Sequence, residues 1–181
     1  VINYASFGYK PELEEKLEPA GIKVVRLDFF KPVFLIRDIR TLGILLGKEE
    51  RAEECIDFLQ GYISILQERV ESIDPEEKKR VFFETCVSSE YPDLSTGAKG
   101  SAWHTQIVMA GGINIFADSV TPYPKVSPEA VLDKNPEIVI RQMRDRGYTI
   151  TDPSDMIALR DEIMSRPGWD KLDAVKNNEV Y

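Results

Sequence analysis

Residues 126–140, VSPEAVLDKNPEIVI, form a complete helix-to-strand unit with its punctuation in place. The Ser127 hydroxyl suits a helix N-cap, because it accepts a bond from a backbone N–H that the first turn leaves without a partner. Pro128 fits the first helical position, where no N–H is needed. Ala130, Val131 and Leu132 supply a short apolar face. Asn135-Pro136 ends the helix, since a residue preceding proline is pushed out of the α region. Glu137-Ile138-Val139-Ile140 then reads as a β-branched strand, apolar on both faces as in a parallel sheet covered on both sides. Glu129 falls in the first turn, where the helix dipole favours a negative charge presented outward. This unit alone predicts an α/β fold.

The flanking sequence repeats the alternation of strand and helix. Val1 to Tyr4 ends a strand, Glu12 to Leu17 is a helix closed by Pro19-Ala20-Gly21, and Ile22 to Leu27 is the next strand. Asp38 to Leu46 is a helix stopped at Gly47. Ala52, Cys55, Ile56, Leu59, Ile63, Leu66, Val70 and Ile73 then recur at spacings of three and four, one apolar stripe on a long helix. From Lys48 to Ile73 such a helix measures about 40 Å at about 1.5 Å per residue, and Asp74-Pro75 terminates it. A bridge between two lobes, a packed spine and a short coiled coil all fit that pattern.

Arg80 to Cys86 restarts a strand, and Val87 to Lys99 is polar and rich in turn residues. Trp103 to Ala110 is helical, Gly111-Gly112 breaks it, and Ile113 to Phe116 is extended. Helices follow from Ser154 to Met164 and from Trp169 to Val175, and Val180-Tyr181 begins a strand. The expected fold is α/β: a C-terminal lobe over residues 76–181 with a parallel sheet flanked by helices, a long helix over 48–75, and a remnant β-α-β over 1–47.

The 181 residues carry a net charge of -8 and a pI near 4.8. That balance argues against nucleic acid, which draws on Lys and Arg to neutralise phosphates. Neither a membrane span nor a signal-peptide pattern is present in the sequence. Cys55 and Cys86 are the only cysteines, and both read as buried free thiols, with a disulfide as the alternative. One histidine and no CxxC make a zinc site of the usual ligand type untenable. Ser101 and His104 are three apart, but there is no G-x-S-x-G elbow to support a hydrolase, so no enzyme is expected.

Several segments resemble, in order, the substrate-binding proteins of ABC importers for ferric siderophores, haem and vitamin B12, whose two lobes are joined by a single long helix. They are IRDIRTLGILLGKEERAEEC, RVFFET, AGGINIFAD, YPKVSPEAVLDKNPEIVI and RPGWDKLDAVKNNEVY. The resemblance implies a binding protein with no intrinsic cofactor, which captures a ferric siderophore, haem or cobalamin and hands it to an ABC importer permease. It implies a periplasmic or extracellular location with a membrane tether in the full-length protein. It also implies that this chain is a fragment lacking most of the N-terminal lobe, whose exposed helix stripe predicts self-association. A ligand-free sensor or interaction domain derived from a binding protein is the alternative.

Candidate residues follow from the fold and the resemblance together. Glu129 matches the family position whose carboxylate pairs with permease arginines. The segment from Val87 to His104 leaves a strand at its carboxyl end, where open α/β sheets bind ligands. Ser88, Ser89, Tyr91, Trp103 and His104 lie on it, an aromatic and hydroxyl set suited to a planar or chelated metal complex. Trp103 reads equally as a half-buried core residue, and His104 as a structural one. Tyr123, bracketed by Pro122 and Pro124, is a further cleft aromatic. Arg141, with Arg144 and Arg146, offers guanidinium groups to an anionic ligand or lies on a solvated loop. Trp169, after Pro167-Gly168, reads as a core anchor.

Overall fold

The computed structural model describes residues 1–5, 10–85, 93–143 and 152–181. The chain divides into two units, Val1–Ile65 and Leu66–Tyr181. In the first, β1 (Ile2–Tyr4) and β2 (Val25–Leu27) pair in parallel, Ile2 opposite Val25 and Tyr4 opposite Leu27. Helix α1 (Glu12–Leu17) lies between them in sequence, and Gly21 at φ +77° turns the chain back toward β2. Arg26 ties these pieces together: it grips Glu14 at 2.7 and 2.6 Å and donates to the Tyr4 and Lys10 carbonyls. Helix α2 (Pro32–Leu46) begins six residues earlier than the spacing predicts, because Pro32 serves as its first residue. Gly43 leaves no room for a side chain, since a Cβ there would sit 2.5 Å from that of Ala52.

Helix α3 (Glu49–Glu71) has 23 residues, a length of about 35 Å at about 1.5 Å per residue. Ala52 and Ile56 are buried, and Leu59 and Ile63 half-buried. Cys55, expected to be a buried thiol, is free and exposed. At about 100° per residue it lies about 60° round the helix from Ala52, on the side away from Ile56. Beyond it Phe58 and Tyr62 are exposed with their rings in edge contact at 5.0 Å.

The second unit continues, after a short 3-10 turn at Pro75–Glu77, with β3 (Arg80–Glu84), β4 (Leu94–Ser95), α4 (Ala102–Met109) and β5 (Ile113–Asn114). Then come β6 (Lys125–Val126), α5 (Pro128–Lys134), β7 (Ile138–Arg141), α6 (Ser154–Met164) and α7 (Asp173–Lys176). Strands β5, β3 and β7 form a parallel sheet in that order, with Val81 opposite Ile138 and Glu84 opposite Arg141. Val180 adds a parallel bridge to Val139. Because strand side chains alternate between faces, Phe82 and Val139 point into a core with Phe116, Val131, Ile163 and Trp169. Trp169 is fully buried, in edge contact with Phe82.

The punctuation of residues 126–140 is as the sequence predicts. The Ser127 hydroxyl accepts from the Ala130 N–H at 3.2 Å. Asn135 adopts φ +39° at the helix end, and its amide then clasps Asp173 through two bonds of 2.9 and 3.0 Å. The antiparallel pair of β4 and β6 was not predicted: Leu94 faces Val126 and Ser95 faces Lys125.

Candidate functional site

In an open parallel sheet the ligand side is the carboxyl end of the strands; Arg141 ends β7 and Trp103 packs on Phe83 of β3 from the other face of the sheet, whereas Tyr123 precedes β6 and Glu129 lies on α5. Ser101 caps α4 by accepting from the His104 N–H at 3.1 Å, which brings Trp103 and His104 into the first turn. The Trp103 ring lies parallel to that of Phe83, 4.6 Å between centroids and 13° between planes, and remains half-buried. One face is thus spent on the sheet. Gly97 makes that placement possible: a Cβ there would come within 2.5 Å of Ser101 Oγ and 2.8 Å of Trp103 Cβ. Gly97→Ala is expected to cost about 1–3 kcal/mol through overpacking and to shift Trp103 emission, read by urea unfolding followed through fluorescence.

His104 is held from behind. Asn114 accepts from the Phe116 N–H at 2.9 Å and donates to the Gly97 carbonyl at 2.6 Å, so its amide nitrogen faces His104 Nδ1 at 3.3 Å. That orientation makes Nδ1 an acceptor and leaves the ring proton on Nε2. Tyr123 is about half exposed, on a loop pinned by the Ala98 N–H to Pro122 and the Thr96 N–H to Pro124. Tyr91, with Cys86, Ser88, Ser89, Arg144 and Arg146, lies outside the described residues.

Arg141 differs from expectation. Instead of extending from a solvated loop, its side chain is only 11% exposed and is ion-paired to Glu84, with Nη1 also donating to the Thr85 carbonyl at 3.0 Å. Glu84 is itself 2% exposed and is gripped by Arg166 through both carboxylate oxygens, at 2.6 and 3.1 Å. Arg166 in turn bonds Glu162 at 2.9 Å and lies over the Trp169 ring at 4.7 Å. Burial works against the Arg166 charge, but the bonds it donates to Glu84 and Glu162 outweigh it and raise the pKa. This alternating row of charges at the ends of β3 and β7 was not anticipated. Its signal was present: Glu84 is a lone acid inside an apolar strand, RVFFE, and a buried carboxylate demands a cation.

Glu129 stands exposed in the first turn of α5. Bonds from its own N–H and from the Ser127 hydroxyl hold its carboxyl below the usual range. A cavity of about 220 Å³ lies elsewhere, lined by Ile73, Lys78, Val81, Ile107, Gly112 and Ile138 among others, and includes none of these candidates. Among the described residues no cluster of His, Cys, Asp and Glu is built to hold a metal ion, and no helix is long and apolar enough to cross a membrane.

Comparison with known proteins gives a consistent result. Over 125 residues the chain is 34% identical to a vitamin B12-binding protein of Salmonella paratyphi A, covering 69% of this chain and 44% of that one. Over 170 residues it is 26% identical to an uncharacterized ABC transporter substrate-binding lipoprotein of Bacillus subtilis, covering 92% and 48%. The chain thus spans about half the length of these relatives. The crystal structure of a possible iron-binding (periplasmic solute-binding) protein from Staphylococcus epidermidis superimposes with a TM-score of 0.73 at 27% identity, over 99% of this chain and 64% of that one. A family model described as periplasmic binding protein matches residues 3–181. With strands, helices and matched residues in agreement over nearly its whole length, the chain belongs to the periplasmic binding protein family.

Proposed function

We propose that the chain is part of an extracytoplasmic solute-binding protein that captures a metal chelate (a corrinoid, a ferric siderophore or haem) and delivers it to an ABC importer permease. The similarity to a vitamin B12-binding protein over 69% of the chain is the observation that carries this reading. The lipoprotein relative supports a location outside the cytoplasm. In this reading residues 1–47 belong to the first lobe, 48–75 to the connecting helix and 76–181 to the second lobe. Trp103, backed by Phe83, presents its open face to a planar ligand, with Tyr91 and Tyr123 as further aromatic contacts and His104 beside them. Arg141 serves ligands that carry negative charge. Glu129 docks on permease arginines through a charge-assisted pair.

Tryptophan fluorescence tests the binding half. Titration with haemin, cyanocobalamin and a panel of ferric siderophores, corrected for inner-filter absorption, is expected to give saturable quenching with one ligand class. Trp169 is fully buried and Trp103 is not, so the quenching should fall in Trp103→Phe, and affinity should weaken about tenfold on loss of a stacking contact. No saturable response in the full-length protein to any of them would discard the metal-chelate reading and favour a ligand-free interaction domain.

A further inference from the structure

The ion network at the ends of β3 and β7 has an uneven distribution of bonds. Among the described residues, Arg166 meets both oxygens of Glu84 in a forked pair, whereas Arg141 meets Glu84 through Nη1, which it shares with the Thr85 carbonyl. Such forks are the strongest form of this contact. Glu162 meets Arg166 through both of its own oxygens, so the order along the row is Glu162, Arg166, Glu84, Arg141. Arg166 is also the more deeply buried cation, its side chain 4% exposed against 11% for Arg141. Removing the only cation from a buried carboxylate is severely unfavourable, because an uncompensated charge remains in a medium of low polarity. Removing one of two is a smaller step.

We propose that Arg166 is a specificity-determining residue that never touches ligand: by compensating Glu84 through both oxygens, it allows Arg141 to exchange Glu84 for an anionic group of the cargo. The inference rests on the binding role proposed above. The cargo class it selects is a chelate bearing carboxylate or phenolate charge at its edge. The mechanism is an exchange of ion-pair partners. Arg141 passes from one carboxylate to another anion, Glu84 keeps Arg166, and no charge is left buried alone. Without Arg166, Arg141 is the counter-charge that remains to Glu84 among the described residues, and is held to it.

The test uses ligand pairs matched in shape and differing in charge, titrated against the full-length protein: haemin with its dimethyl ester, and a ferric tricatecholate with a neutral ferric trihydroxamate. Cyanocobalamin is included as a further neutral ligand. Arg166→Met is expected to weaken the anionic member by about tenfold or more, the scale of one hydrogen bond to a charged group, and to change the neutral member less than about twofold. Arg166→Lys, which keeps the cation but not the fork, should show the same selectivity in smaller measure if Arg166→Met folds poorly. The double variant Glu84→Gln/Arg166→Met should recover anion affinity, because the competing carboxylate is gone. Equal losses for both members, or no loss, would overturn the proposal, as would a failure of the double variant to recover. Wild-type protein that binds only neutral chelates would also overturn it while leaving the binding function intact. Wild-type protein that binds none of the probes would remove both.

Discussion

Glu84→Ala is expected to destabilise the second unit by about 3–5 kcal/mol, the usual range for breaking a buried ion pair from one side. Arg166 and Arg141 would then face one another without the carboxylate that now lies between them, and among the described residues Glu162 reaches Arg166 and not Arg141. Urea unfolding followed by the emission of Trp169, which lies against Arg166, reports the effect directly. Glu84→Gln should cost less, since its amide oxygen still accepts a bond. Removing Glu84 and Arg166 together should cost clearly less than the sum of the two single changes, because neither then leaves the other unpaired. Additive losses would mean that the close contact contributes little coupling of its own.

The second large effect follows from the docking role proposed for Glu129. On that role, Glu129→Arg is expected to reduce permease-dependent uptake by about a hundredfold, the scale expected when an attractive contact at an interface is replaced by a like-charge one. Ligand affinity should remain within about twofold, because Glu129 lies on α5 rather than at the strand ends. A reciprocal acidic substitution on the permease should restore transport. The depressed pKa sets the pH behaviour. Glu129 stays ionised as pH falls below the value at which an ordinary glutamate protonates, and the docking charge is lost only below that point. Uptake limited by this contact should therefore persist into mildly acid medium. Glu129→Gln, which has no charge to lose, should flatten that part of the profile. Uptake that declines through the ordinary glutamate range in both proteins would assign the pH response to another group.

How much could be read in advance depended on the range of the interactions. The cap at Ser127, the stop at Asn135 and the strand at Ile138 are local events. Each is decided within about four residues, so the sequence displayed them fully. The long helix was legible because its period persists, but a period marks the apolar stripe without saying how much of it is covered, and Cys55, at the stripe's edge, is exposed. Strands β4 and β6 escaped notice because two residues establish no alternation. The grip of Arg166 on Glu84 joins residues 82 apart in sequence, and only the folded sheet brings them together. Trp103 was legible as an aromatic near a strand end. Its parallel contact with Phe83 depends on the packing of α4 and could not be read from spacing.

The separateness of the small antiparallel pair has an evolutionary consequence. Strands β4 and β6 form a sheet of their own, outside the order β5-β3-β7 that carries the core. A bridge from Glu84 to Thr96 and a bond from the Thr85 N–H to Ser95 fasten it at one end. Leu94 of β4 is nonetheless buried in the core with Phe82 and Trp169, and Val126 of β6 packs against it, so the pair is anchored by its inward residues, while the exposed Asp93, Tyr123 and Lys125 can change without disturbing the register of the parallel strands. Variation at such outward positions is tolerated because only the inward half of the pair is held by the scaffold.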